Sequence, residues 1–261
     1  MIVAAFLLLA VGAADLVRRF APRPWIGYVV VAVLLLLLGS AGDALLPMLI
    51  GLVGGAAWVW CMPIERRAPL GFWPAVLLAL ASVAGVVSVG ARADAGIIGA
   101  VWTLRAPFGE VPFDLALLAL GTALFLLESS NLVVRAALDG EHTWRPAELL
   151  RPAESGAALD PAKVTESLPA SAPPIPADGR VGFQGGRLIG PLERILVLIL
   201  TLAAAYPVLA AMLAAKGIVR FPEISRDGET GARAEYFLVG SLVSWVVGLG
   251  AAFLLQWAAH S

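Results

Sequence analysis

The sequence predicts an all-α integral membrane protein of about eight transmembrane helices or half-helices, two of them forming a possible re-entrant hairpin at 188–221. Three observations predict it. The 261 residues are 60% hydrophobic and 14% charged, with mean hydropathy +0.88, whereas a soluble domain is about half apolar and a quarter charged. Apolar runs recur at close to bilayer length. The charges between the runs alternate in sign balance from one connection to the next, as they do in proteins that cross a membrane repeatedly.

The first run, 1–17, has no basic residue ahead of it, and Arg18, Arg19 and Arg23 follow it. A cleaved leader carries its positive charge first. The order therefore predicts a retained helix that starts outside and ends in the cytoplasm. Runs at 25–41, 44–62, 72–91 and 112–134 continue the alternation. Arg66, Arg67 and Arg135 then fall inside, and the connection near Gly42 and Asp43, without a basic residue, falls outside. "GLVGG", Gly51 to Gly55, has the small-residue spacing that lets helices approach closely, and contact within the chain is expected. Cys61 is the one cysteine, so it has no disulfide partner in the chain and is expected to be inert.

The interval 139–187 carries Pro146, Pro152, Pro161, Pro169, Pro173, Pro174 and Pro176 among alanines and small polar residues. With few large apolar side chains it predicts a largely disordered cytoplasmic linker. It divides a five-helix part, 1–138, from a C-terminal membrane part, 188–261. In the latter, Tyr206 and Pro207 interrupt the apolar run from 188 to 221. Proline fits the first turn of a new helix better than the middle of an old one. Two helices are expected, leaving Arg187 and Arg194 at one end and Lys216, Arg220, Arg226 and Arg233 at the same side of the membrane. A last helix runs from Glu235 to about Trp257.

The bias of sixteen arginines to two lysines, with abundant alanine and leucine, suits a GC-rich bacterial genome, and with the apolar runs an inner-membrane location is expected. The net charge of −1 gives no basic excess for nucleic acid. Histidine occurs only at His142 and His260, outside any metal-ligand spacing, and no phosphate-binding GxxxxGK[ST] loop occurs. No cofactor is expected.

Two polar groups remain as candidates. Glu128, Asn131 and Arg135 are spaced i, i+3, i+7 and share a helix face. A carboxylate two turns from a helix end needs a partner, a proton or water. The group fits either an interhelical ion pair or a polar pathway. Lys216 and Arg220, spaced i, i+4, suit a helix C-terminus and the cytoplasmic interface. They also fit an anion, Arg220 gripping two oxygens and Lys216 acting as a point charge. Bringing Glu128, Asn131 and Arg135 together with Lys216, Arg220, Arg194 and Glu235 gives one expected shared site. In it Glu128 lies within about 4 Å of Lys216, Arg220 or Arg194, and Glu235 neutralises a further cation.

The stretch 186–245, with 131–138, resembles the C-terminal region of an uncharacterised bacterial family of polytopic membrane proteins, a domain of unknown function. The residues that carry the resemblance are Gly186 and Gly190; Leu192, Glu193 and Arg194; Ala214, Ala215, Lys216, Arg220 and Phe221; and Glu235, Tyr236 and Gly240, with "NLVVRAAL" from Asn131 to Leu138. The chain departs from that pattern at Pro207. The resemblance implies a membrane class and no activity. The function expected is a non-catalytic binding or scaffold module in the bilayer, with a basic cytoplasmic-face site for an anionic lipid or phosphate-bearing ligand. A small-solute permease using the Glu128 face and a lipid-modifying enzyme are the alternatives.

Overall fold

A computed structural model describes residues 1–63, 70–89, 92, 95–106, 109–140, 186–225 and 232–261, apart from some side chains at segment ends. The expected linker lies almost wholly outside the described residues, as do Arg66, Arg67 and the side chains of Arg220 and Arg233. The chain is mostly helical. In order come α1 (Ile2–Phe20), α2 (Pro24–Ala41), α3 (Leu45–Cys61), α4 (Trp73–Ser88) and a short α5 (Gly96–Val101). A two-stranded antiparallel ribbon, β1 (Arg105–Ala106) and β2 (Gly109–Glu110), leads into α6 (Phe113–Leu124). A π-helical turn, Phe125–Ser129, joins α6 to α7 (Ser130–Gly140) without a break. Then come α8 (Gly186–Leu202), α9 (Tyr206–Ser225) and α10 (Ala232–His260).

Three helical stretches are long and apolar enough to cross a bilayer: Pro24–Ala41, Phe113–Asp139 and Glu235–His260, with mean hydropathies of 2.1, 1.8 and 2.1. Shorter apolar helices accompany them at Leu45–Cys61, Trp73–Ser88 and Tyr206–Val219. The outer surface agrees with a lipid setting. Val29, Val30, Val33, Leu34 and Leu37 on α2 face outward, as do Leu46, Leu49 and Val53 on α3 and Leu242, Val246 and Leu249 on α10. A surface this apolar is costly in water and favourable in hydrocarbon.

The core is built around α1. Almost every residue from Ile2 to Asp15 is buried, because α3, α4 and α6 surround the helix. Glycines make these crossings close. A Cβ on Gly51 would stand 2.8 Å from the Phe6 carbonyl carbon, and one on Gly121 would stand 2.8 Å from the Leu9 nitrogen. The Gly51–Gly55 spacing thus serves contact inside the chain: Gly51 meets Phe6 and Gly55 meets Ala10. Where hydrocarbon surrounds a bundle, close van der Waals contact takes over the role that burial plays in water.

The helix ends explain the alternation of the chain. After α2, Ala44 N–H donates to the Gly39 carbonyl while Asp43 takes a left-handed φ of 49°. After α8, Ala205 N–H donates to the Leu200 carbonyl and Ala204 N–H to the Thr201 carbonyl, with Ala204 at φ 53°. Both are Schellman-type stops, which close the last turn and reverse the chain. Pro207 then occupies the first turn of α9, so the interval from 188 to 221 is a helical hairpin rather than one long helix.

Candidate functional site

The polar residues gather toward one end of the bundle, where α1 and α3 finish and α8 begins. Asp15, fully buried in the last turns of α1, accepts from the Trp58 indole N–H at 2.9 Å and is ion-paired with Arg18. Arg18 Nη1 also donates to the carbonyls of Val59 and Met62 at 3.3 and 2.9 Å. It therefore caps the C-terminal end of α3, where carbonyls lack intrahelical donors and the dipole favours a cation.

Arg194 is the deepest basic group of the C-terminal part, 3% exposed. Its Nε donates to Ser244 Oγ at 3.0 Å on α10, and its Nη2 to Asn131 Oδ1 at 2.7 Å on α7. Its Nη1 donates to the Leu126 carbonyl at 3.2 Å and to Ser130 Oγ. Leu126 lies in the π-helical turn, where the wider ring shifts carbonyls from their α-helical partners. One guanidinium therefore joins α8, α10 and the α6–α7 helix through neutral acceptors, and among the described residues no carboxylate pairs with it directly. One carboxylate is linked to it through a bridging amide: Asn131 Nδ2 donates to Glu128 Oε2 at 3.5 Å.

Glu128 itself is ion-paired with Arg19 of α1, at 3.6 Å. Lys216 and Arg194, two of the cations expected beside Glu128, engage other groups, and the side chain of the third, Arg220, lies outside the described residues; the cation found on Glu128 comes from the N-terminal half. The reason is the position of α1. As the central helix it delivers Arg19 to the α6–α7 face that a cation on the hairpin was expected to reach. Arg135, exposed on α7, donates to the Pro63 carbonyl at 2.9 Å.

Lys216 has a different carboxylate. Its Nζ donates to both oxygens of Glu193 at 2.7 Å, and the Trp245 indole N–H donates to Glu193 Oε1 at 2.9 Å. The rings of Phe237 and Trp245 have their centroids 5.9 and 5.7 Å from the ammonium. Glu193 and Lys216 stand almost equally far along the chain from Ala204, so an antiparallel hairpin turning at 203–205 places them at one height. That arithmetic was available in the sequence and identifies Glu193, which the expected site omitted. Trp245 had no such signal, because it depends on how α10 lies against α8. Glu235 is exposed in the first turn of α10, and the side chains of Arg220, Arg226 and Arg233 near it in sequence lie outside the described residues.

The single expected site thus divides. Arg194, Asn131 and Glu128 form one chain of contacts ending at Arg19, and Lys216 with Glu193 forms another. The two meet only through the adjacency of Glu193 and Arg194 on α8, whose side chains diverge toward Trp245 and Ser244, themselves adjacent on α10. At the far end of the bundle a third pair stands apart. Arg92 Nε and Nη2 grip Asp114 at 2.9 and 2.8 Å, and Arg92 Nη1 donates to the carbonyls of Gly42 and Asp43. This cluster fastens the α2 turn to the start of α6. Among the described residues no three His, Cys, Asp or Glu side chains gather as metal ligands.

No known family matches. The chain matched no family model, no curated protein and no solved structure.

Proposed function

We propose that this chain is a non-catalytic binding or scaffold module of a bacterial cytoplasmic membrane, recognising anionic headgroups at its basic end. The observation that carries the reading is a contrast between buried and exposed charge. The charges within the bundle are engaged with one another or with backbone: Asp15 with Arg18, Glu128 with Arg19, Glu193 with Lys216, and Arg194 with four neutral acceptors. Such groups hold helices together. At the same end Arg23 is exposed without a side-chain partner among the described residues, and Arg135 is exposed with one backbone contact. Phe20, Trp25, Trp60 and Trp73 are exposed at the adjoining helix ends, Trp60 at 84%. Aromatic side chains beside arginines at helix ends mark a membrane boundary, where both contact headgroups. In this reading the basic end is cytoplasmic, the N-terminus is outside, and 139–187 is a cytoplasmic linker.

A permease reading needs a continuous polar path past Glu128, whereas that carboxylate, 19% exposed, is engaged by Arg19 and Asn131. The binding reading is tested with protein in nanodiscs of phosphatidylcholine containing graded phosphatidylglycerol. Arg23→Gln and Arg135→Gln are each expected to lower anionic-lipid retention by about fivefold, from roughly 1 kcal/mol per basic group near an anionic surface. Equal retention by the double variant and the parent protein overturns the reading.

A further inference from the structure

We infer that the carboxylate and rings around Lys216 form a binding site for a primary alkylammonium group, which the lysine occupies as a tethered stand-in. Glu193 is held by α8 and fixed by the Trp245 indole N–H at 2.9 Å. Trp245 and Phe237 both belong to α10. The carboxylate and both rings are therefore built from α8 and α10, and of the described α9 side chains Lys216 supplies the cation. A carboxylate accepting N–H bonds between two aromatic faces has the chemistry of an ammonium site. Both carboxylate oxygens accept from the nitrogen, so the site selects a cation that carries N–H donors. A quaternary ammonium offers none.

The helix that holds the stand-in is lightly attached. Of the α9 side chains described, from Tyr206 to Val219, Leu209 alone is buried. A Cβ on Gly217, beside Lys216, would meet no atom within 4 Å. The lysine side chain is 26% exposed, so the site opens at the surface of the bundle. Glu193 stands about 10 Å along α8 from its start, from 1.5 Å per residue, within reach of a headgroup at that boundary. An incoming ammonium displaces Lys216 by exchanging one N–H donor set for another, and α9 moves outward with it.

The site is separate from the exposed arginines of the proposed function and opposite in charge preference. It is tested on the purified full-length chain in detergent by native mass spectrometry. Phosphatidylethanolamine, phosphatidylcholine, phosphatidylglycerol and free ethanolamine are titrated singly. Lys216→Met removes the tethered competitor and is expected to raise phosphatidylethanolamine retention about tenfold over the parent, with phosphatidylcholine unchanged. Glu193→Gln in the Lys216→Met background is expected to cancel that gain, since a charge-assisted acceptor is lost. Trp245→Phe, which keeps a ring but removes the N–H that fixes the carboxylate, provides a milder variant and should lower the gain part-way. Retention of free ethanolamine with no preference among lipids assigns the site to a soluble amine. Loss of ethanolamine and phosphatidylethanolamine selectivity in Lys216→Met, with its thermal midpoint showing a folded protein, overturns the inference. Phosphatidylglycerol loss in the same variants would instead place Lys216 among the anion-binding groups and also overturns it.

Discussion

Arg194 and Glu128 show how unequal two charged residues in one polar network can be. Arg194 has its donors spread over acceptors on three helical segments, all away from water. Hydrogen bonds to a charged group are worth roughly 1.5–3 kcal/mol each when their loss strands a buried partner. Lysine keeps the charge but not the planar fork that reaches several acceptors at once. Arg194→Lys is therefore expected to cost about 3 kcal/mol in unfolding from mixed micelles. Glu128→Gln, by contrast, removes a looser 3.6 Å pair at a partly wetted position and should cost below about 1 kcal/mol. A comparable loss in the two variants would show that the Arg194 junction is not what joins the C-terminal part to the rest. Asn131, which links the two residues, was visible in the sequence as a polar residue on the Glu128 face. Its partner Arg194 was grouped with it in the expected site, as a charge near a helix start and as one of the cations offered to Glu128. No single-sequence signal specifies which apolar helices become neighbours, so Arg19 could not be read as the partner of Glu128.

Helices gain their close approaches from glycine, and the positions differ sharply in what they tolerate. A Cβ on Gly12 of α1 would lie 2.7 Å from the backbone of Leu124 and Phe125, where neither atom can rotate away. Gly12→Ala is expected to force α1 and the π-helical turn apart, destabilising the bundle by about 1–3 kcal/mol as overpacking does. Gly217→Ala on α9 meets open space and should gain up to about 1 kcal/mol from helix propensity. Thermal melts of the two variants should move in opposite directions. Helix positions themselves were legible, since apolar runs end at polar clusters and Pro24, Pro74 and Pro207 fall in first turns. The hairpin stop was legible from Pro207 but not from Ala204, because a left-handed stop normally advertises itself with glycine. Two features left no periodic signal. The ribbon at Arg105–Glu110 has strands of two residues, and the π-helical turn changes one ring within a continuous apolar helix. The centrality of α1 was also hidden, because in hydrocarbon a buried helix and a lipid-facing one are similarly apolar.

At the scale of the whole molecule the two ends differ in charge chemistry, and that difference fixes the expected orientation. The end holding Arg18, Arg19, Arg23 and Arg135 also holds the start of α8, whereas Arg92 and Asp114 neutralise each other at the opposite end. Positive charge in short connections is retained on the cytoplasmic side. The Schellman-type stop at 203–205 returns α9 toward the end from which α8 set out. With 17 residues α8 is about 26 Å long, close to the hydrocarbon thickness of about 30 Å, so in the proposed orientation its tip is expected near the outer boundary. In a background where Cys61 is replaced by alanine, Ala204→Cys should react with an impermeant thiol reagent applied outside. Cysteines at positions 160 and 228 should be protected until the membrane is opened. Protection at 204 together with 160 and 228 would mean that the hairpin enters and leaves without reaching the far side, making it re-entrant. Outside labelling at 228 with 160 still protected would contradict the antiparallel Glu193–Lys216 contact itself, since that pair holds both arms of the hairpin to one height. The measurements at 160 and 228 therefore test the hairpin by their agreement and the orientation by the side they report, and the one at 204 tests how far the hairpin reaches.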